Sequence, residues 1–390
     1  MHDFSTVGKV WSKIVEFLDR GFNKIKFFFM IKENSEMLDK NPVIQQMEKM
    51  EHEQVVFCHD KETGLKAIIA VHDTTLGPAL GGTRMWSYAS EMEAITDVLR
   101  LSRGMTFKAA ISGLELGGGK AVIIGDAKVH KTDALMQKFG EFVDRLAGSY
   151  ITAEDVGMTT HDMEMVRLKT EHVTGIPQSM GGSGDPSPVT AYGVYMGMKA
   201  AAMFKWGSDD LKGKKVAVQG IGHVGENLVK HLTEEGAIVF INDIFMDRME
   251  EVAAKYGATI VEGDEIYSID MDIYAPCALG ATVNDDTLSK LKCAVIAGAA
   301  NNQLADEEIH GEMVKEMGIV YAPDFLINAG GLINVYSEVK GWSSEKVFEK
   351  TREIYNTTLD IFKKAELEDI TTHVAAREVA LERVAAAKKK

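Results

Sequence analysis

Cysteine is scarce in this sequence, since 390 residues contain only Cys58, Cys277 and Cys293. The three positions are far apart and form no CxxC pair, so the sequence indicates neither a zinc site nor a disulfide framework. Each thiol is better explained as a small buried apolar residue than as a nucleophile. This cysteine usage favours the reducing cytoplasm, and we predict no metal site.

Positively charged residues are fewer than negatively charged ones. Lysine and arginine number 43 against 58 acidic residues, the formal net charge is -15, and the only basic run is the 388–390 tail. An acidic surface repels the phosphates of nucleic acids and anionic lipids. We therefore expect neither nucleic acid nor a membrane as a partner.

Long hydrophobic runs are absent too. Residues 10–30 are apolar in patches but include charges such as Lys13 and Asp19, which a membrane-spanning helix would not tolerate. The stretch lacks a small-residue cleavage site, which argues against a signal peptide, although an amphipathic helix for surface or partner contact stays open. We treat residues 1–46 as an N-terminal extension that precedes every motif.

What the sequence does contain is enough apolar residues for two hydrophobic cores. Hydrophobic residues make up 45% of the chain and prolines number only 7, which predicts a folded protein of two domains with a cleft between them. We predict a first domain at 47–180 and a second at 181–343, with helices in 344–390 packing back on the first. Residues 179–188, SMGGSGDPSP, are the predicted hinge.

Strand-like and helix-like segments alternate along the chain, which predicts an α/β fold. In the first domain we predict strands at 54–57, 65–71, 121–124 and 150–153 and helices at about 91–103 and 132–146. In the second domain we predict strands at 215–219, 238–242, 273–275 and 294–297, with helices beginning near residues 223, 246, 285 and 306. Alternation of this kind builds a parallel sheet with helices on both faces. Two charged helices, at about 344–365 and 371–386, close the chain.

A glycine motif marks a dinucleotide site. Gly220, Gly222 and Gly225 form G-x-G-x-x-G directly after an apolar strand and at the start of an amphipathic helix, where backbone amides face a pyrophosphate. Asp243 ends the next strand, at the spacing where an acid accepts the ribose hydroxyls and repels a 2′-phosphate, so NAD is favoured over NADP. The alternative is that Asp243 only caps the following turn. The candidate cofactor-binding residues are Gly220, Ile221, Gly222, His223, Val224, Gly225, Glu226, Asp243 and Asn301.

The candidate catalytic residues are Lys108, Lys120 and Asp155. Both lysines lie among glycine-rich segments, GPALGGTR and GGGK, which a ligand can approach closely. Two ammonium groups in one cleft suppress each other's protonation, and burial adds to this, so one lysine could act as a base. Asp155 in ITAEDVG follows a strand and supplies a carboxylate that could transfer protons, with Glu154 as the competing residue. Asn301 and Asn302, and Asn328 and Asn334, are placed after strands of the second domain, where amides can hold nicotinamide or substrate.

Several long segments resemble one family. DTTLGPALGGTRMW, LGGGKAVIIGD, YITAEDVG, DPSPVTAYG, YAPCALGATVNDDT, AGAANNQL and YAPDFLINAGG are similar to the glutamate, leucine, phenylalanine and valine dehydrogenases, and most similar to the leucine-specific members. The similarity runs from about Met47 to Arg383. It implies an N-terminal α/β substrate domain, a Rossmann NAD-binding domain, and a homo-octamer.

The resemblance also implies the reaction. A small apolar L-amino acid, above all a branched-chain one, is oxidised by NAD to a 2-oxo acid and ammonia, reversibly, as in branched-chain amino-acid catabolism. Lys108 would pair with the substrate carboxylate, Lys120 would activate the attacking water, and Asp155 would relay protons. The candidate substrate-binding residues are Leu80, Gly81, Met105, Lys108, Asn302, Leu332 and Val335.

Specificity depends on a few side chains. Glutamate dehydrogenases have a lysine where Leu80 stands, so the aliphatic pocket of this chain should reject a side-chain carboxylate, which costs several kcal/mol to bury unpaired. Ala153 resembles the leucine enzymes, because phenylalanine enzymes have glycine there. Leu332 resembles the phenylalanine enzymes, because leucine enzymes tend to have valine. Phenylalanine dehydrogenase is therefore the alternative activity, and a non-catalytic NAD-binding regulator is the alternative outside enzymes.

Overall fold

The structure is a computed structural model, and it describes residues 43–389. The extension predicted at 1–46 lies almost wholly outside the described residues, as does the amphipathic helix considered at 10–30. The described chain begins with helix α1 (Val43–Met50).

The first sheet has five strands in the spatial order β1-β2-β4-β3-β5, and they are β1 (Gln54–Asp60), β2 (Leu65–Asp73), β3 (Ala79–Trp86), β4 (Gly117–Ile124) and β5 (Tyr150–Glu154). Antiparallel pairs join β1 to β2 and β2 to β4, whereas β3 pairs in parallel with both β4 and β5. Because β3, β4 and β5 point the same way, side chains near their carboxyl ends lie at one edge of the sheet.

The second sheet has six strands that all pair in parallel, and they are β6 (Lys215–Gln219), β7 (Ile238–Asn242), β8 (Thr259–Ile260), β9 (Ile273–Pro276), β10 (Val295–Ile296) and β11 (Val320–Tyr321). Their spatial order is β11-β10-β9-β6-β7-β8. The order reverses at β6, and in open parallel sheets the crevice at such a point binds ligands.

Helices cover both sheets. With the first sheet lie α2 (Glu91–Ile111), α3 (Asp133–Asp144) and α4 (Thr160–Arg167). The remaining helices are α5 (Ser187–Trp206), α6 (His223–Glu235), α7 (Met246–Tyr256), α8 (Asp285–Leu288), α9 (Glu307–Glu316), α10 (Asp324–Ile327), α11 (Gly330–Lys340), α12 (Ser344–Arg352), α13 (Ile354–Glu368) and α14 (Thr372–Lys388). One hydrophobic cluster runs from Leu80 and Leu116 of the first sheet to Val216 and Ile273 of the second. The predicted α/β class is therefore confirmed.

The C-terminal helix α14 contacts helix α2, which lies with the first sheet. Arg383 donates to the carbonyls of Ala109 and Ala110 at 3.3 and 2.6 Å, at the carboxyl end of α2. Lys388 pairs with Asp73 at 2.9 Å. These contacts are of the kind expected from the packing back of 344–390, while the domain boundaries themselves stay a prediction.

The structure differs from the predictions at several elements. Helices α1, α4, α10 and α11 and strands β8 and β11 were not predicted. Strand β3 was not predicted, because its glycines at positions 81 and 82 are depleted in ordinary strands. The predicted helix at 344–365 is two helices, α12 and α13, that meet at Glu353. Asn334, predicted to follow a strand, lies inside helix α11.

The glycines of β3 and β4 allow unusually close backbone packing. A Cβ on Gly81 would lie 1.7 Å from the carbonyl oxygen of Gly119, and a Cβ on Gly119 would lie 2.6 Å from the ring of Tyr150. The Tyr150 hydroxyl donates to the Gly81 carbonyl at 2.7 Å, which fixes that ring against Gly119. Glycine inside a strand marks such a close approach, so these residues are strand residues rather than turn residues.

No helix within residues 43–389 is both long and apolar enough to cross a bilayer. The three thiols are all free, and Cys58 and Cys293 are buried. Burial raises the pKa of Cys58 to about 11 and the pKa of Cys277 and of Cys293 to about 12. Thiols of this kind are poor nucleophiles near neutral pH, as the sequence predicted.

The packing of Gly119 gives a testable expectation. Gly119→Ala should lower the free energy of unfolding by about 1–3 kcal/mol, because the added methyl group overlaps the fixed Tyr150 ring. The matched control is Gly104→Ala in α2, where a Cβ meets nothing within 4 Å and the helix should gain up to about 1 kcal/mol. Urea unfolding of both variants measures the difference, and equal losses would contradict the packing argument.

Candidate active site

Three neighbouring strands bring a lysine, an aspartate and an arginine together. Lys120 comes from β4, Asp155 follows β5, and Arg84 comes from β3 between them. The Lys120 ammonium lies 2.6 Å from Asp155 Oδ2, and Arg84 Nε donates to the same oxygen at 3.3 Å. The Lys120 side chain is only 8% exposed, so this ion pair is largely shielded from water.

Burial and charge set the protonation of this pair. Burial lowers the pKa of Lys120 below the usual lysine range, and the Asp155 carboxylate counters part of that effect. Burial also raises the pKa of Asp155, but the charges of Lys120 and Arg84 outweigh it and hold that pKa below its ordinary value. Asp155 is therefore ionised at neutral pH and can accept a proton.

Lys108, on α2, is a half-buried cation without an ion pair inside the described part of the chain. Burial lowers the pKa of Lys108 to about 8, the Asp324 carboxylate opposes this shift, and the charge of Lys120 adds to it. Mutual suppression of the two lysines, expected from the sequence, is thus a smaller effect than burial at Lys108. At Lys120 the cation that lowers the pKa is Arg84. A half-buried ammonium that has no ion pair within residues 43–389 is suited to bind a carboxylate ligand.

The sequence did not assign a role to four residues around these three. Arg84 Nη1 donates to Asp97 Oδ2 at 3.0 Å, and the Tyr88 hydroxyl donates to the same oxygen at 2.7 Å. Asp324 is buried at the start of α10 and accepts the backbone N–H groups of Gln303 and Phe325. Burial raises the pKa of Asp324 above the ordinary carboxyl value. One signal was available in the sequence, because Asp97 lies about three helical turns from Lys108 and so shares a face of α2 with it.

The predicted apolar pocket residues belong to one hydrophobic cluster. Leu80 and Leu332 are 2% and 6% exposed, and Met105 and Val335 pack against the same cluster at its partly exposed border. Met105 also lies against Gly81, since a Cβ there would be 3.3 Å from Met105 Cγ. These residues of β3, α2 and α11 thus belong to the hydrophobic cluster that also packs against the second sheet.

The glycine motif lies at the point where the order of the second sheet reverses. Gly220 has φ 94°, and a Cβ on it would meet Ala278 at 2.5 Å, just after β9. A Cβ on Gly225 would lie 2.0 Å from the Gly220 carbonyl oxygen, whereas a Cβ on Gly222 meets nothing within 4 Å. Gly220 and Gly225 are therefore required by packing, and Gly222 leaves open space where a phosphate group would approach. Ile221 is buried before Gly222, and exposed His223 and half-buried Val224 begin α6.

Two acidic residues of the cofactor motif have different surroundings. The Asp243 carboxylate accepts the N–H of Ile221 at 2.9 Å and the N–H of Phe245 at 3.2 Å, so it joins the glycine loop and also caps its own turn. Glu226 is turned toward α7, where Arg248 and Lys255 pair with its carboxylate. The structure thus places Asp243 beside the glycine loop and engages Glu226 with a neighbouring helix.

The four asparagines named from the sequence lie after β10 and β11, and their side chains do not all point to one place. The Asn328 amide donates to Asn301 Oδ1 at 2.7 Å and to the Ala299 carbonyl at 3.1 Å. Asn302 is exposed and has φ 53°, a left-handed conformation typical of a turn. Asn334 donates to Ser183 Oγ at 2.9 Å, in the predicted hinge segment. Of the candidate ligand-binding residues Asn301 and Asn302, only Asn301 has a side-chain hydrogen-bond partner within the described residues.

Two family descriptions match this chain along most of its length. "Glu/Leu/Phe/Val dehydrogenase, dimerisation domain" matches residues 52–172. "Glutamate/Leucine/Phenylalanine/Valine dehydrogenase" matches residues 181–245 and 240–390.

Individual proteins are also similar. The leucine dehydrogenase of Bacillus cereus is 54% identical over 346 residues, which are 89% of this chain and 94% of that protein. The phenylalanine dehydrogenase of Thermoactinomyces intermedius is 48% identical over 344 residues, which are 88% of this chain and 94% of that protein. The crystal structure of L-tryptophan dehydrogenase from Nostoc punctiforme superposes with a TM-score of 0.81 at 48% identity and covers 89% of this chain and 100% of that one.

The contrast between two glycines of the motif can be tested. Gly222→Ala should leave thermal stability unchanged and weaken NAD binding, because its methyl group enters only the space left for a phosphate. Gly225→Ala should lower the free energy of unfolding by about 1–3 kcal/mol, because its methyl group overlaps backbone. Thermal unfolding and calorimetric NAD titration separate the two effects. Unchanged NAD affinity in Gly222→Ala would contradict the assignment of the open space at Gly222 to a phosphate group of NAD.

Proposed function

The chain belongs to the glutamate, leucine, phenylalanine and valine dehydrogenase family, and from this premise we propose that it oxidatively deaminates branched-chain L-amino acids. Leucine is the proposed main substrate, with valine and isoleucine also accepted, and the reaction is reversible. The observation that carries the proposal is the joint presence of the Lys120–Asp155 ion pair and the unpaired Lys108 ammonium beside an aliphatic region. NAD is the cofactor of the family.

The second domain has residues that fit NAD. The open space at Gly222, the start of α6 and the Asp243 carboxylate would hold the pyrophosphate and the ribose. When bound, NAD supplies the acceptor for the hydride that leaves the substrate Cα. The negative charge of Asp243 would disfavour the extra phosphate of NADP. Asn301, held by Asn328, is proposed to orient the nicotinamide.

Lys108 is proposed to bind the substrate before any bond changes. Its ammonium has no ion pair in the described chain, so a substrate carboxylate would supply the missing partner. A charge-assisted contact of this kind would fix the Cα of the substrate relative to Lys120 and Asp155.

Lys120 and Asp155 are proposed to move the protons. Burial lowers the pKa of Lys120, which favours the neutral form of its amino group. Neutral Nζ can take a proton from water as the water attacks the imine carbon. Asp155 then takes that proton from Lys120 on Oδ2 and passes it to the amino group. Lys120, neutral again, accepts the hydroxyl proton as the carbinolamine collapses to the 2-oxo acid and ammonia leaves. The two residues lie 2.6 Å apart, so protons can pass between them.

The lining of the site favours an aliphatic side chain. Leu80 offers no charge to a glutamate side chain, and burying that carboxylate unpaired would cost several kcal/mol. Leu80, Met105, Leu332 and Val335 are proposed to contact the substrate side chain. Gly81 would let the substrate backbone approach closely.

Aromatic amino acids are the second candidate substrates. Relatives named phenylalanine dehydrogenase and L-tryptophan dehydrogenase are 48% and 49% identical to this chain, and Leu332 matches the pattern of phenylalanine enzymes. Against this stands Ala153, which is 7% exposed and takes up space that a glycine would leave for a ring. A regulator without activity would have no use for Lys108, Lys120 and Asp155 together.

Assembly and location complete the proposal. We propose a homo-octamer, supported by the match of residues 52–172 to a family description that names a dimerisation domain. We propose the cytoplasm as the compartment, supported by three free cysteines.

A substrate panel tests the proposal directly. With NAD and purified full-length protein, kcat/KM measured by NADH absorbance should be at least about tenfold higher for L-leucine than for L-phenylalanine or L-tryptophan. L-Glutamate should give no measurable rate. Ala153→Gly should shift the ratio toward phenylalanine. A preference for an aromatic substrate would favour the second candidate function. If no amino acid gave NADH, a non-catalytic NAD-binding regulator would be the remaining alternative.

Replacement of the two lysines should change different kinetic constants. Lys120→Ala should lower kcat by about a hundredfold or more, because it removes a positioned base, while Lys108→Ala should mainly raise KM. Protonated Lys108 binds the carboxylate, so substrate affinity should fall as the pH rises through about 8, and Lys108→Ala should abolish that dependence. Lys66→Ala, an exposed lysine of β2, is the control and should change neither constant. A pure KM effect in Lys120→Ala would overturn its assignment.

A further inference from the structure

A line of charged and polar groups extends from the candidate catalytic carboxylate toward solvent. Asp155 contacts Arg84, Arg84 contacts Asp97, and Asp97 accepts the hydroxyl of Tyr88. The groups come from three elements, since Arg84 lies on β3, Asp97 on α2, and Tyr88 in the segment between them. The proposed chemistry uses only Asp155 of these four, so the role of the other three needs an explanation.

We propose that Arg84 is a positioning residue, which holds the Asp155 carboxylate in place through the proton-transfer cycle and is itself held by Asp97 and Tyr88. This inference rests on the proposed function, because it assigns Arg84 a task in the same reaction. It adds a residue that acts through Asp155 and does not touch the substrate.

The two cations that contact Asp155 differ in how permanent their charge is. Both reach Oδ2, Lys120 at 2.6 Å and Arg84 at 3.3 Å. Lys120 must lose its charge whenever it acts as a base, and at that moment its ion pair with Asp155 is gone. Arginine stays protonated at any pH at which the protein is folded. Arg84 is thus the cation that remains when Lys120 is neutral.

A guanidinium with one partner could rotate away, but Arg84 has two. Its Nε points to Asp155 and its Nη1 to Asp97, at 3.0 Å, so the planar group is held at both ends. The Tyr88 hydroxyl lies 2.7 Å from Asp97 Oδ2 and orients that carboxylate. Burial raises the pKa of Tyr88 above the usual tyrosine range, and so does the Asp97 carboxylate, so the hydroxyl remains a donor.

Charge balance around the pair gives the direction of the expected pH effect. The charged and titratable groups that face Lys120 and Asp155 are Arg84 from β3, Lys108 and Asp97 from α2, Tyr150 from β5 and Tyr88 from the segment before α2. Arg84 lowers the pKa of Asp155 and of Lys120 alike. Loss of its charge should therefore raise the pKa of both groups, so both effects shift the acid limb of activity toward higher pH.

The position of Arg84 also offers a direct experimental handle. A cavity of about 460 Å³ is lined by Arg84, Trp86, Tyr88, Asp97 and Arg100, among others, and is open to solvent. If the arginine side chain is removed, a small cation from solution can reach the space it leaves. Guanidinium has the same shape as the lost group, and urea has nearly the same shape without the charge.

The experiment uses the full-length protein with NAD and its best amino-acid substrate from the panel. Arg84→Met should lower kcat at neutral pH by about tenfold or more, leave KM for the amino acid within about threefold, and move the acid limb of kcat/KM up by about one pH unit. Arg84→Lys, which keeps the charge, should shift the limb less. Arg100→Met, which changes an arginine lining the same cavity, is the matched control and should leave the profile unchanged.

Chemical rescue separates positioning from mere folding. In Arg84→Ala, millimolar guanidinium should restore several-fold of the lost kcat, and urea should not. Thermal unfolding of each variant shows whether the fold is intact. An unshifted acid limb in a stable Arg84→Met, or a loss of activity that accompanies a fall in Tm and is not restored by guanidinium, would overturn the positioning role. A wild-type protein that oxidises no amino acid would instead overturn the proposed function, and this inference with it.

Discussion

The ion pair between buried Lys120 and half-buried Asp155 is the interaction on which the rest of the site depends. Removing two charges from water costs several kcal/mol for each ion, and the cost is recovered only where geometry is good and further partners are present. Here the partner is Arg84, which reaches the same carboxylate oxygen as Lys120. The strand order of the first sheet meets this requirement, because β3 lies between β4 and β5 and contributes the second cation.

Close packing of the strands is the second constraint. Gly81 has no room for a Cβ because the Gly119 carbonyl faces it, and Gly119 has none because the Tyr150 ring faces it. The Tyr150 hydroxyl bonds to the Gly81 carbonyl from the next strand and fixes their separation.

The second sheet and its helices complete the site from the other side. The strand order reverses at β6, where the glycine motif begins α6, and the adjacent α10 supplies Asp324 near Lys108. Asp324 opposes the effect of burial on Lys108 without forming an ion pair with it. Lys108 therefore keeps part of its charge, and within residues 43–389 it has no ion pair that would compete with a bound anion.

Local patterns in the sequence determined the α/β class, the strands other than β3, β8 and β11, the glycine motif with Asp243, and the choice of Lys108, Lys120 and Asp155 as candidate catalytic residues. These features are short in range: a period of apolar residues, a turn, or a motif whose spacing fits one helix start. The tertiary structure alone decided that β3 is a strand despite its glycines, that Glu226 is engaged by Arg248 and that Asp155 has Arg84 as a second cation. Each of these depends on which distant segments become neighbours. Strand order sets those neighbours, and no local pattern in the chain encodes it.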